Sequence, residues 1–231
     1  MTDDQVDAAE AIRREVALSW GRIGAAWGVT SSTAAVQGYL LLHGGPLTRR
    51  EVGAALGLSH RAVLVALDEC EAWGIVERAP EKRRSGSRGP SATAWVPVPD
   101  HWEWFRRVAN ARKARETDPV LPLLDEGLRR AEEAGADELR ERIASLVTFV
   151  HRFDHAVDAV IEAEAAAFGH LFDVLAQLEP ATVSRLLETL EEVPTDELAR
   201  AATSLSRMSP RLVRRVISLV ADPRVTRLVG R

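Results

Sequence analysis

The sequence predicts a mainly α-helical chain with one small β-hairpin, and three observations carry that expectation. Ala, Leu, Glu and Arg dominate, and apolar residues recur at helical spacing along most of the chain. Residues 46–73 hold two short helical patterns joined by a glycine-containing turn. One stretch, 75–98, departs from that period and reads as two strands around a polar loop.

In order along the chain, the first helix is expected from about Asp3 to Trp27, and residues 1–27 are assigned to dimerisation. A second covers Ser32 to Leu42 and stops at Gly44-Gly45-Pro46. Thr48-Arg49-Arg50-Glu51 is a Thr-x-x-Glu capping box, whose two side chains satisfy orphan amides reciprocally and so start a helix. Val52, Ala55 and Leu56 give that helix a short apolar face, and Gly57 lets the chain turn with positive φ. Ser59 caps the next helix, which runs to about Trp73. Ile75 to Arg78 and Thr93 to Val98 form the hairpin strands. Two helices, a turn and an immediate hairpin make a winged helix-turn-helix, assigned to residues 28–100.

Long helices then occupy 101–179, the expected dimerisation and effector region: one to about Arg115, and others over 123–134 and 136–178 with Gly135 between them. Pro180, Pro194, Pro210 and Pro223 punctuate a C-terminal helical extension, 180–231. Proline is tolerated in a helix's first turn and not in its interior, so these residues mark helix starts.

The net charge of −4 hides a strongly uneven distribution. Arg78 to Arg88 holds five basic residues against Glu81, and residues 206–231 hold seven arginines against Asp222. Residues 116–173 carry 14 carboxylates and five cations between them. A chain so patterned can bind a polyanion locally while staying net acidic.

Val63, Ala66, Leu67 and Cys70 recur at i, i+3, i+4 and i+7 and should face the core. That leaves His60, Arg61, Leu64, Val65 and Asp68 on or near the open face of the second helix. His60 and Arg61 lie in its first turn, where such helices contact base edges and phosphates. Leu64 admits two readings: contact with thymine methyls, or packing against the hairpin or a partner subunit. Lys82, Arg83, Arg84 and Arg88 stand on a Gly/Ser-rich loop with no core to join, so solvent or phosphate must receive them.

These segments resemble the MarR-type winged-helix regulators, in particular their GbsR-like branch, over about residues 15–119. The resemblance rests on Gly28-Val29, Ala34, Val36, Gly38-Tyr39-Leu40-Leu41-Leu42, Gly45-Pro46-Leu47-Thr48, Glu51-Val52 and Leu56-Gly57-Leu58-Ser59. It continues through Trp73-Gly74-Ile75-Val76, the basic wing, Trp102, and Arg112-x-x-Arg115-Glu116-x-Asp118-Pro119. It implies a homodimeric transcriptional regulator whose N- and C-terminal helices pair. It also implies double-stranded DNA read by Ser59, His60, Arg61 and Leu64, with the wing arginines on the backbone or minor groove. Thr48 and Arg49 complete the expected DNA-binding set. Relatives often carry glycine near Arg61 and serine near Leu64, so the operator sequence does not transfer, and residues 180–231 lie outside the match.

His151, His155, Asp158 and Glu162 share one helical face at a spacing that could hold a transition metal; a solvated helix flank gives the same pattern. Trp20, Trp27, Trp95, Trp102 and Trp104 flank the winged region and serve either as core and interface anchors or as the walls of a small-molecule effector site. Residues 195–219 sketch two further short helices, either a second DNA-binding unit or an extension packed on the dimer.

No phosphate loop, no Ser-His-Asp order with a nucleophile elbow and no Cys-His pair in a plausible setting is present, so neither an enzyme nor a cofactor is expected. The longest apolar run, Ala62 to Leu67, is far too short to span a bilayer, and the acidic start is no secretory signal. With a lone Cys70, a cytoplasmic protein without a membrane partner is expected. A winged-helix module that binds protein in a chromosome-associated or signalling assembly is the alternative function.

Overall fold

A computed structural model describes residues 2–79, 83–84 and 91–220, following the backbone alone at 83, 84 and 91. The chain divides into two units, Met1–Gly169 and His170–Arg231.

In the first unit, α1 (Asp3–Ala26) lies along α2 (Ser31–His43). Their contact is close because Gly24 has no side chain: a Cβ there would stand 2.3 Å from the Ala34 Cβ. Thr30 caps α2 by accepting from the Thr33 amide, and Gly44 ends it in the left-handed region. Strand β1 (Leu47–Thr48) leads into α3 (Arg49–Leu56), which the expected capping box opens and Gly57, at φ +66°, closes. Ser59 then caps α4 (His60–Ala72).

Strand β2 (Val76–Arg78) follows, then β3 (Arg83–Arg84), β4 (Ser91–Ala92) and β5 (Ala94–Pro97). β5 lies between β1 and β2, antiparallel to both, with Trp95 opposite Leu47 on one side and Arg78 on the other. Periodicity does not predict β1, because two residues are too few to show alternation. The core lies where α2, α3, α4 and the sheet meet, around Val36, Leu40, Val52, Val63, Leu67 and Ile75, each at most 2% exposed. Ala17 of α1 belongs to the same cluster, so the first helix is part of this core.

Asp100 caps α5 (His101–Arg112), which passes into a π-helical turn, Lys113–Thr117. α6 (Val120–Glu133) packs on α7 (Asp137–Glu162). The helix expected from 123 begins at Val120 instead, with Pro122 in its first turn, where a missing amide costs nothing. The helix expected over 136–178 is broken: α7 ends at Glu162 and α8 (Ala165–Gln177) begins after Ala163, which adopts an extended conformation. Among the described residues, no group of three or more His, Cys, Asp or Glu side chains could hold a metal ion. His151, His155, Asp158 and Glu162 are not gathered; instead Lys113 Nζ lies 2.8 Å from Asp154 and 3.1 Å from Asp158.

In the second unit, α9 (Pro180–Glu191), α10 (Thr195–Ser206) and α11 (Pro210–Val220) start at or beside the expected prolines. Pro223 lies outside the described residues. No helix among the described residues is long and apolar enough to cross a membrane.

Candidate nucleic-acid interface

The second helix of the helix-turn-helix presents the faces its periodicity predicts. Val63, Ala66, Leu67 and Cys70 are all 0% exposed, while His60, Arg61, Val65 and Asp68 are exposed and Leu64 is half-buried. The Ser59 hydroxyl accepts from the Ala62 amide at 3.2 Å, fixing the first turn that carries His60 and Arg61. Burial pushes the Cys70 thiol up to about 12, so it is an inert core group.

Side chains from distant elements hold α4 in place. The Thr33 hydroxyl of α2 donates to Glu69 at 2.7 Å. Arg115 of the π-helical turn approaches Glu69 at 3.9 Å and stands 5.5 Å over the Trp73 ring. From α5, Arg107 donates to the Gly74 carbonyl in the turn before β2 and to Glu77 at 3.1 Å. Glu103 steadies that arginine, accepting from Arg107 Nε at 2.6 Å and from Arg106 Nε at 2.8 Å. The two guanidinium groups hold the Glu103 carboxyl down at about 2.

The outer face of α4 opens onto a cleft of about 590 Å³ between α3, α4 and the sheet. Thr48, Arg49, His60 and Leu64 of the expected set line it; Leu64 is therefore an element of its wall. Arg50, Arg78 and Trp95 line it too, and sequence reading placed none of them in the site. The Arg-Arg pair beside the capping box was the signal for Arg50, and the basic run that begins at Arg78 was the signal for that residue; nothing local marked Trp95 for this cleft. Thr48 is 4% exposed and its hydroxyl is engaged with Glu51 at 2.8 Å, so it organises α3 and is not a free donor. Arg49, Arg50 and Arg61 make no ion pair among the described residues, whereas Arg78 pairs with Glu71 at 2.8 Å.

Lys82 and Arg88 lie outside the described residues. Arg83 and Arg84 form β3, paired antiparallel with β4 in the register Arg83 to Ala92 and Arg84 to Ser91.

The tryptophans line three cavities, and Trp20 and Trp104 belong to two of them, one shared with Trp102. Trp20, Trp27 and Trp104 join Trp73 around a cavity of about 460 Å³ between α1, α2 and α5, with Gln37 and Arg112 also in its wall. Trp20 Nε1 donates to Gln37 Oε1 at 2.9 Å, which orients the amide; its Nε2 has no partner among the described residues. Trp102 packs edge-on against Phe168 at 5.4 Å. Trp95 belongs to the cleft beside α4.

No family model matches the chain, and no curated protein matches it. A solved structure described as "Crystal Structure of a transcriptional regulator" is similar to it at 18% identity and a TM-score of 0.48, over 64% of this chain and 95% of that chain. At that level the likeness by itself decides neither fold nor function.

Proposed function

We propose that the chain is a sequence-specific, DNA-binding transcriptional regulator of winged helix-turn-helix type that acts as a homodimer. The observation that carries the reading is the outer face of α4. His60 and Arg61 stand exposed in its capped first turn, and Arg49, Arg50 and Arg61 are unneutralised among the described residues. The segment between β2 and β5 adds Lys82, Arg83, Arg84 and Arg88 from the sequence.

In this reading α4 enters the major groove. Arg61 has the bidentate fork suited to guanine O6 and N7, and Leu64 and Val65 suit thymine methyls. The wing cations neutralise phosphates and release counterions. The dimer would use the apolar surface of α1, where Ile12, Ile23 and Trp27 are 62%, 55% and 67% exposed. A two-fold through these helices would set the half-site spacing at about one DNA turn. The tryptophan-lined cavity supports a small apolar effector acting through α1, α2 and α5; Arg112 in its wall disfavours a cationic one.

The test is a titration of the purified chain with duplex from upstream of its own reading frame, against a scrambled duplex of equal length, at several salt concentrations. Tighter binding to the upstream duplex, weakening log-linearly with salt, is the expected result. The exposed Val65, at 54%, favours one other reading, a protein-binding winged helix. Absence of duplex binding even at low salt would select that alternative.

A further inference from the structure

The outer face of α4 carries a carboxylate that the described fold leaves free. Asp68 is exposed and lines the cleft beside α4 together with Arg49, Arg50 and Arg78. It nevertheless makes no hydrogen bond or ion pair among the described residues, and Arg78 pairs with Glu71 instead. Its place on the helix is central. Val63, Ala66, Leu67 and Cys70 form the buried side of α4, and Asp68 lies on the opposite side. It stands seven residues beyond Arg61, two turns on and within about 20° of the same direction. Arg61 and Asp68 thus share one row on the open side, about 10.5 Å apart along the axis, with Val65 between them.

A carboxylate only accepts hydrogen bonds, and on a helix that enters a polyanion's groove it is repelled by every phosphate. Most base edges repel it too: guanine presents N7 and O6 in the major groove, and thymine presents O4, all of them acceptors. Donors come only from the amino groups at adenine N6 and cytosine N4. The adenine amino group lies beside the N7 lone pair, which opposes the second carboxylate oxygen. The cytosine amino group lies beside C5–H, which does not. Cytosine is therefore the base that a groove-facing carboxylate selects.

We propose that Asp68 is a specificity residue that accepts from a cytosine N4 amino group, about three base pairs from the base that Arg61 reads. The contact rests on the DNA-binding reading above and adds to it one defined position of the operator. The spacing follows from about 10.5 Å along the helix against about 3.4 Å per base pair, with α4 lying along the groove. Arg61 and Asp68 act differently there. A guanidinium rewards guanine and is also content with phosphate, whereas a carboxylate rewards an amine and penalises acceptor edges. Asp68 thus discriminates by exclusion as well as by attraction.

The experiment selects duplexes from a pool with a randomised centre, using the wild-type chain, D68A, D68N and R61A. The position whose preference R61A relaxes marks the Arg61 contact, and wild-type sites should show cytosine about three base pairs from it. Duplexes that differ only at that cytosine are then titrated. Wild type should favour cytosine over guanine and thymine by about tenfold. D68A should bind all four duplexes within about twofold of one another, gaining on guanine and thymine as the repulsion goes. D68N should turn to adenine, whose N6 and N7 match the acceptor and donor of an asparagine amide.

Asp68 is exposed, so both of its variants should melt as wild type does, and melting temperatures check this. The change from cytosine to adenine under D68N locates the contact even where R61A relaxes no position. If folded D68A and D68N select the wild-type sequences, the cytosine contact is overturned while DNA binding stands. A uniform change across the four duplexes overturns it as well: a uniform gain is plain charge repulsion, and a uniform loss is a role in holding a neighbouring arginine. If the wild-type chain selects no sequence and binds no duplex even at low salt, the DNA-binding reading fails and the cytosine contact falls with it.

Discussion

Thr33 and Glu69 are 36 positions apart, yet the hydroxyl of one donates to the carboxylate of the other at 2.7 Å. Thr33 is 1% exposed and lies on α2, while Glu69 is on α4. The bond ties the scaffold helix to the helix that would read DNA. Thr33→Val keeps the shape and leaves Glu69 one donor short. Its expected cost is about 1–3 kcal/mol in urea unfolding, with weaker duplex binding because α4 loses a lateral restraint.

Glu103 makes stability depend on acid in a defined window. Its carboxyl is held at about 2, below the ordinary 4.5, by its hydrogen bonds to Arg106 and Arg107. A depressed carboxylate contributes stability above its unfolded value and loses it as pH falls through the folded one. The contribution should be complete at neutral pH and disappear between about 4.5 and 2. E103Q should therefore be less stable than wild type at pH 7 and converge with it near the bottom of that range. Urea midpoints at several pH values measure this; parallel curves for the two chains would refute it.

The close approach of α1 to α2 gives a steric prediction. Gly24→Ala would drive a Cβ to within 2.3 Å of Ala34 Cβ, and neither helix backbone can yield cheaply. Thermal or urea unfolding should show a loss of about 1–3 kcal/mol, the usual cost of overpacking. The same substitution at Gly28 meets no atom within 4 Å, so only its positive φ opposes it.

Under the proposed DNA-binding reading, Arg61 should separate from Arg83 and Arg84 by salt dependence and specificity. Arg61→Ala is expected to cost about 1–3 kcal/mol on a specific duplex and to narrow the gap to a scrambled one. Arg83→Ala and Arg84→Ala should weaken both duplexes alike and flatten the salt slope by about one unit each. Equal effects of all three on both duplexes would show that Arg61 touches only phosphate.

Much of the helix-turn-helix was legible because its signals are local. A capping box needs residues three apart, a left-handed turn needs one glycine, and an amphipathic stripe needs one helix. Thr48 with Glu51, Gly57, Ser59 and the face Val63, Ala66, Leu67, Cys70 accordingly stand as expected. The long-helix region was less legible. A helix without a proline or glycine gives no local reason to stop, and α7 ends at Glu162 all the same.

Local chemistry was enough to place the starts of α2, α3, α4 and the proline-led helices, the buried face of α4 and the clusters of cations, since each follows from residues within a turn or two. That Trp95 and Arg78 share a cleft with Arg50, that four tryptophans wall one cavity, and that Arg107 of α5 holds the Gly74 turn came only from the assembled fold. Those juxtapositions join residues tens of positions apart. They arise from burying apolar faces against one another, a force with no direction of its own, so no local pattern announces which side chains it will bring together.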